Sequence, residues 1–131
     1  MIRRKKNRKS QEPKLKSITK LMKECDRAFS TKVRGSNVIG ATARCFTCGT
    51  IYPAKKLHCG HYLSRFYKAA RWDFDNARPQ CMMCNMWKRG DPVVFRRNLI
   101  AEIGEERVKT VEAKRDQSFK YEAKSDHREI C

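Results

Sequence analysis

Two Cys-x-x-Cys pairs constrain the fold of this chain more than any other feature of its sequence. Cys45 and Cys48 form the first pair, Cys81 and Cys84 form the second, and residues 49–80 lie between them. Each pair suits a tight turn that directs two thiolates at one tetrahedral ion, so the two turns together predict a structural zinc site. Such a site supplies folding free energy that a small core lacks.

Disulfide bonds and a redox-active pair are the other uses of paired cysteines. The chain has seven cysteines, an odd number, and no apolar segment follows its basic start as in a signal peptide. Both features disfavour an oxidised, secreted protein. A redox-active Cys-x-x-Cys would not need a second matching pair. Among the other cysteines, we expect Cys25 in the core, Cys59 packed in a strand and Cys131 free.

Positive charge dominates the composition. The chain has 31 Lys or Arg and 14 Asp or Glu residues, a formal net charge of +17. Residues 1–35 hold 13 basic and 3 acidic residues, residues 36–100 hold 11 and 3, and residues 101–131 hold 7 and 8. We expect residues 1–13 to be a disordered basic tail, because they have almost nothing to bury. The excess favours a polyanion, and nucleic acid is the expected partner.

Membrane association is disfavoured. No run in the sequence approaches the roughly 18 apolar residues that a membrane-spanning helix needs. No basic stretch carries a bulky apolar face opposite its charges, as a helix lying on a membrane surface would. The sequence therefore predicts a cytoplasmic protein without a membrane partner.

An amphipathic helix is predicted over residues 14–34. Apolar residues recur there at alternating spacings of three and four, which is one stripe of a helix. The stripe indicates either a helix packed on the domain or a seam through which a homodimer forms. It spans only two heptads, which are too few to predict a coiled coil. The stripe consists of Leu15, Ile18, Met22, Cys25 and Phe29.

Helices are also predicted after the second cysteine pair. Asp91 and Pro92 are typical of a helix N-terminus, and the helix should continue to about Ile103 with Phe95 and Leu99 buried. Residues 105–131 should form a C-terminal helix and tail. The apolar positions over residues 105–128 are sparse, which predicts a partly exposed helix.

Three polar residues follow one another between and after the cysteine pairs. His61 stands at the end of a predicted strand, Asn76 lies in a loop, and Asn85 directly follows the last cysteine of the second pair. This order, within a zinc-stabilised hairpin and helix, is typical of a ββα-metal (His-Me finger, H-N-H type) nuclease. The predicted fold class is therefore α+β. A small zinc-stapled ββα-metal core over residues 41–104 would be flanked by the N-terminal and C-terminal helices.

The chemistry of phosphodiester hydrolysis explains these residue types. A neutral imidazole at His61 can deprotonate water, and neighbouring cationic side chains should keep it neutral. The amide oxygen of Asn85 can bind Mg²⁺ or Mn²⁺, which stabilises the charge that develops on the phosphate and the leaving 3′ oxygen. Asn76 would hold the loop that carries His61 through hydrogen bonds.

The sequence resembles the NinG (Rap) family of lambda-like phage recombination proteins over about residues 45–111. The resemblance implies cleavage of branched recombination intermediates, including Holliday junctions and displacement loops, with a divalent metal. The ending Cys-x-x-Cys-Asn is also similar to that of the phage resolvase endonuclease seven, which supports Asn85 as a metal ligand. The motifs that carry the resemblance are CFTCGT at 45–50, GHY at 60–62, FDN at 74–76, QCMMCN at 80–85, Gly90 and FRRNLIAEIGEERV at 95–108.

One position departs from the family pattern. An acidic residue can stand three positions before the histidine of that pattern, and here this position is His58. If that acid helps to hold the metal, His58 would replace it as a nitrogen donor or a supporting group. Strict strand alternation would put His58 and His61 on opposite faces, although Gly60 could relax it.

Basic residues surround the predicted hairpin, and four aromatic residues interleave with them. They indicate either a solvated face or a phosphate-binding cleft beside the metal, and the sequence favours the cleft. The aromatic residues are Tyr62, Phe66, Tyr67 and Trp72. The residues predicted to bind DNA are Arg44, Lys55, Lys56, Arg65, Lys68, Arg71, Arg78, Lys88 and Arg89.

The expected function is therefore a divalent-metal-dependent endonuclease that hydrolyses branched DNA during phage recombination. Symmetric cleavage of a four-way junction needs two active sites, which implies a homodimer through the N-terminal helix. Two alternatives stay open: a non-catalytic zinc module that binds nucleic acid, and an H-N-H nicking nuclease without branch preference.

Overall fold

The computed structural model describes residues 14–117, and the statements below concern those residues. The described chain is mixed α and β, as the sequence predicted, with two separate antiparallel strand pairs, β1–β2 and β3–β4. The helices are α1 (Ile18–Arg34), α2 (Pro92–Ile103) and α3 (Glu105–Ala113). The strands are β1 (Thr42–Arg44), β2 (Ile51–Pro53), β3 (His58–His61) and β4 (Ala77–Gln80).

Helix α1 begins four residues later than the predicted start. The Ser17 hydroxyl accepts a hydrogen bond from the backbone N–H of Lys20 and caps the first turn. Leu15 therefore precedes the helix and is fully exposed. Phe29 and Val33, in contrast, are buried and pack with Ala77 of strand β4. The second half of the predicted stripe is thus a helix packed on its own domain.

The same packing reduces the surface left for a homodimer. Cys25 is 3 % exposed, which confirms its place in the core, and Met22 is half-buried. Ile18 is 39 % exposed, in the first turn of the helix. Within the described residues, a seam through α1 would have to use its N-terminal turns, and the homodimer stays a prediction.

Strands β3 and β4 form the hairpin between the two cysteine pairs. Cys59 lies opposite Pro79 and His61 opposite Ala77. Gly60 is required by a close approach, because a Cβ built on it would lie 2.0 Å from Oε1 of Gln80. The Gln80 side chain, lying over Gly60, donates a hydrogen bond to the carbonyl of Gly90 at 2.9 Å. This contact ties the hairpin to the turn before helix α2.

Helix α2 has the predicted bounds, with Pro92 in its first turn. Asp91 is the N-cap residue with a left-handed φ of 45°, and its side chain makes no capping hydrogen bond. Phe95 and Leu99 are buried, as expected, and pack with Val108 of helix α3. Half-buried Ile103 packs on the same cluster.

The predicted helix over residues 105–128 is not continuous within the described residues, and its part from residue 118 onward lies outside them. Helix α3 ends at Ala113, and a 3-10 turn over Lys114–Asp116 follows, in which the Lys114 side chain reaches back to Asp73. The proposed basic tail over residues 1–13 and the proposed free thiol of Cys131 lie outside the described residues. None of the helices within residues 14–117 is long and apolar enough to cross a membrane.

Candidate functional site

The four cysteines of the two pairs form one cluster. Their Sγ atoms all lie within 4.8 Å of one another, and those of Cys48 and Cys81 are 3.9 Å apart. A disulfide needs about 2.05 Å between its sulfurs, whereas two thiolates on a tetrahedral zinc ion with 2.3 Å bonds are about 3.8 Å apart. The cluster can therefore hold a metal ion such as zinc.

Local backbone geometry explains how the cluster forms. The first pair lies in the connection between β1 and β2, where Gly49 adopts a φ of 76° that suits a tight turn. The second pair follows β4 and enters a short π-helical turn over Met83–Trp87. The backbone N–H of Cys81 donates to Sγ of Cys45 at 3.3 Å, so the two turns also bond to each other.

Two thiols of the cluster have shifted pKa values. For Cys45, burial raises the pKa, but hydrogen bonds from Thr47 and from the backbone at Cys48 and Cys81 outweigh it and lower the pKa to about 6. For Cys84, burial raises the pKa to about 12. Cys59 lies outside the cluster, in strand β3, packed on the Phe29 cluster as predicted, and its burial raises the pKa to about 11.

A cavity of about 820 Å³ lies between helix α1, strand β3 and the turn that carries the second cysteine pair. His58, His61 and Asn85 all line it. Strict strand alternation would have separated the two histidines, yet both reach the same cavity. Asn76, the remaining member of the predicted constellation, is fully buried and does not line the cavity.

His61 is held by a backbone carbonyl. Its Nε2 lies 3.0 Å from the carbonyl oxygen of Arg71. Because a carbonyl can only accept, Nε2 carries the proton in the neutral ring and the lone pair lies on Nδ1. The pKa of His61 is lowered from 6.5, first by burial and also by the charge of Arg65, against the opposing effects of the Arg71 carbonyl, Asp26 and the Cys59 backbone. Burial, rather than the predicted cationic neighbours, is thus the main reason for the neutral ring.

Asn76 connects both ends of the loop that follows His61. Its Oδ1 accepts from the N–H of Leu63 at 2.7 Å, and its Nδ2 donates to the carbonyls of Leu63 and Ala70, both at 3.0 Å. The predicted hydrogen bonds to the His61 loop are therefore present. All three partners are backbone groups, so Asn76 shapes the loop without contacting the His61 ring directly.

Asn85 and His58 meet at the other side of the cavity. The Nδ2 atom of Asn85 lies 3.2 Å from Nδ1 of His58. The two amide atoms of Asn85 can exchange places by rotation, so its Oδ1 can also take this position. The pair thus presents one oxygen and one nitrogen donor toward the same space.

Positive side chains line the cavity. Four of the nine predicted DNA-binding residues lie there, namely Lys55, Lys56, Arg65 and Arg89. Arg34 of helix α1 lines it as well. Arg34 was not predicted, because a basic residue on a helix has the same sequence pattern whether it faces solvent or a cavity.

The other predicted DNA-binding residues lie elsewhere. Arg71 forms an ion pair with Asp26. Arg78 pairs with Glu102 at 3.1 Å and stacks over the ring of Phe46, so both arginines serve the fold. Arg44 donates to the carbonyl of Gly49 at 2.7 Å, beside the cysteine cluster. Lys68 and Lys88 are exposed, and neither lines the cavity.

Comparison with known proteins identifies a family that this chain matches. The family model described as Bacteriophage Lambda NinG protein matches residues 2–130. A curated relative from Escherichia phage 933W, named Protein ninG, is 40 % identical over 72 residues, which are 53 % of this chain and 34 % of the relative. The Protein ninG of Escherichia phage lambda is 39 % identical over the same length and shares of the two chains.

The aligned region spans about a third of the length of these curated relatives. No solved structure matches the chain. The family model, in contrast, covers nearly the whole sequence. The chain belongs to the NinG family of bacteriophage proteins.

Proposed function

We propose that this protein is a divalent-metal-dependent endonuclease that hydrolyses phosphodiester bonds in branched DNA. One observation carries the proposal: the half-buried imidazole of His61, oriented by the Arg71 carbonyl, lines a cationic cavity that it shares with Asn85 and His58. A base, a donor pair for a metal and positive charge for a phosphate are the three requirements of this chemistry.

In this mechanism His61 is the general base. Its Nδ1 takes a proton from a water molecule, whose oxygen forms a bond to phosphorus while the bond from phosphorus to the 3′ oxygen breaks. The leaving oxygen takes a proton from bulk water, and His61 returns its proton to solvent. The Arg71 carbonyl accepts from Nε2 throughout, so it keeps the ring oriented and stabilises the imidazolium that forms. The cavity arginines and lysines hold the phosphate.

Asn85 and His58 are the proposed ligands of the catalytic metal, Mg²⁺ or Mn²⁺. Their donor positions are 3.2 Å apart, close to the roughly 3.0 Å that separates neighbouring ligands of an octahedral ion with 2.1 Å bonds. When bound, the ion would act as a Lewis acid on the phosphate oxygens.

The cysteine cluster is the proposed structural zinc site. Cys84 directly precedes Asn85, and Cys45 lies in the turn that bonds to Cys81. A zinc ion on the four sulfurs would fix the turn that carries Asn85 against the rest of the domain. Zinc takes no part in the chemistry.

The branched substrate rests on the family resemblance. Such a substrate places the reaction in the cytoplasm of the bacterial host, and symmetric junction cleavage calls for a homodimer. We expect the protein to recognise DNA through its phosphate backbone and its shape, because the cavity is lined by lysines and arginines, which bind phosphate.

The test is a cleavage assay with an end-labelled four-way junction and a matched linear duplex, with and without Mg²⁺ or Mn²⁺, on zinc-loaded protein. We expect metal-dependent cutting of the junction by the natural protein and loss of cutting with unchanged binding in His61→Ala. Lys109→Gln, an exposed change on helix α3, is the matched control and should cut normally. Undiminished cutting by His61→Ala would contradict the proposed base.

The same assay separates the two alternatives. Equal cutting of junction and duplex would indicate a nicking nuclease without branch preference. Tight binding without cutting under either metal would indicate a non-catalytic zinc module, which explains the cysteines and the charge but leaves His61 without a role.

A further inference from the structure

We infer that Asp26 of helix α1 is a positioning residue for the imidazole of His61. Asp26 was not among the residues that the sequence singled out. It holds the side chains of Arg71, whose carbonyl contacts the ring, and of Trp72, the next residue, from a helix outside the β3–β4 hairpin. The consequence for catalysis rests on the proposed function, but the effect on the ring does not.

The contacts form a continuous chain from α1 to His61. The Arg71 guanidinium donates to Asp26 with Nε at 2.8 Å from Oδ1 and Nη2 at 2.5 Å from Oδ2, a bidentate pair. The indole Nε1 of Trp72 donates to the same Oδ1 at 2.9 Å. The carbonyl that receives His61 Nε2 belongs to Arg71 itself. One carboxylate therefore anchors the side chains on both sides of the Arg71–Trp72 peptide bond.

The other end of this short segment is also fixed. Nδ2 of Asn76 donates to the carbonyl of Ala70, the residue before Arg71. Ala70 and Arg71 are thus held by two different side chains, those of Asn76 and Asp26. Such double anchoring limits the rotation of the peptide groups around the Arg71 carbonyl, so the hydrogen bond to His61 is preorganised.

Burial makes these contacts strong. Asp26 and Arg71 expose about a fifth of their side chains, 20 % and 18 %. Burial alone would raise the pKa of Asp26, but the hydrogen bonds from Arg71 and Trp72 outweigh it and hold the pKa below 3.8. The carboxylate is therefore charged throughout the neutral range, and Arg65 lies 3.8 Å from it as a further, weaker partner.

A direct role as a metal ligand is the competing explanation, because Asp26 is the single carboxylate among the described residues that line the cavity. Both of its oxygens already accept hydrogen bonds from Arg71, and one accepts a further bond from Trp72. A carboxylate so fully engaged has little capacity left for a cation. The positioning role is favoured for this reason, and the test separates the two.

The test compares Asp26→Asn with Glu24→Gln. The control change also replaces a carboxylate by its amide on helix α1, but Glu24 forms its ion pair with exposed Lys16, away from Arg71 and Trp72. The ring nitrogens of His61 are observed by ¹⁵N NMR above pH 7 in zinc-loaded protein without other divalent metal. We expect the Nε2–H tautomer in the natural protein and in Glu24→Gln. In Asp26→Asn we expect a mixture of tautomers, and Asp26→Glu should restore part of the natural spectrum.

Cleavage is measured on the same variants. A displacement of the base by about 1 Å should lower the rate about 10- to 100-fold in Asp26→Asn, with DNA affinity unchanged. An unaltered tautomer in Asp26→Asn would overturn the inference, and a rate loss with an unaltered tautomer would indicate a metal ligand instead. If Asp26→Asn does not fold, Trp72→Phe removes a single bond to Asp26 and is judged by the same spectrum. If the natural protein does not cleave DNA, the proposed function fails while the tautomer result still decides the role of Asp26.

Discussion

The Asn85 amide lies 3.2 Å from Nδ1 of His58, although 27 positions separate the two residues in the sequence. His58 stands three positions before His61, where we expect the family pattern to allow an acid, and its ring nitrogen lies beside the Asn85 amide. The departure at this position therefore keeps a donor beside Asn85 but changes it from oxygen to nitrogen. Metal preference is the property that this change should alter.

We predict that cleavage by the natural protein is faster with Mn²⁺ than with Mg²⁺, because imidazole nitrogen suits transition metals and Mg²⁺ prefers oxygen ligands. His58→Asp should shift the ratio of the two rates toward Mg²⁺. Lys56→Gln, another cavity-lining change, should lower both rates without changing their ratio. An equal ratio in all three proteins would contradict His58 as a ligand.

The lowered pKa of His61 predicts a pH profile. The proposed base must be neutral, so the rate should rise with pH, and the midpoint of that rise should lie below pH 6.5, the ordinary pKa of histidine. The free energy of unfolding should also rise with pH, because the unfolded chain binds a proton at His61 at a higher pH than the folded chain does. The free energy of unfolding should therefore fall as pH drops below 6.5. The contribution is absent in His61→Gln, whose urea unfolding should depend less on pH in this window.

Removing the Asn76 side chain should destabilise the fold. Its amide satisfies three backbone groups in a fully buried position. Asn76→Ala leaves these groups without partners, and we expect a loss of about 3 kcal/mol in the free energy of unfolding in urea. Thr110→Ala, on the exposed face of helix α3, should cost less than about 1 kcal/mol. Equal losses would mean that water replaces the Asn76 amide.

The cysteine cluster predicts one zinc ion per chain, measured by elemental analysis of the purified protein. Cys84→Ala should lose the ion and the cooperative thermal transition, because metal binding supplies folding free energy. Cys59→Ala removes a thiol of strand β3 outside the cluster and should retain the ion. Loss of zinc from Cys59→Ala together with retention by Cys84→Ala would contradict the assignment.

The cavity cations predict strong salt dependence of DNA binding. The affinity should fall with log–log slope of about −0.9 for each phosphate neutralised. Lys55 and Lys56 line the cavity, so Lys55→Gln and Lys56→Gln should each make that slope less steep. Arg78→Gln is the informative comparison, since Arg78 pairs with Glu102: it should lower stability and leave the slope nearly unchanged.

The distribution of basic residues shows the limit of sequence patterns. Arg65 and Arg71 look alike in the sequence, yet Arg65 is exposed at the cavity and lies 3.8 Å from Asp26, whereas Arg71 is largely buried and forms a bidentate pair with it. How tightly a charge is paired depends on a partner distant along the chain, and Asp26 is 45 positions from Arg71. The spacing of residues along the sequence cannot predict such a pair.

Features that depend on neighbouring residues could be predicted from the sequence. The cysteine pairs were recognisable because each turn sets the spacing of its own two ligands, and helix α2 because Asp91, Pro92 and Gly104 mark its ends locally. Two relations could be found only in the tertiary structure. His58, His61 and Asn85 line one cavity, and Asp26 binds the side chain of Arg71, whose carbonyl contacts His61. These relations join elements far apart in the chain, whose meeting depends on the packing of helix α1 against strands β3 and β4.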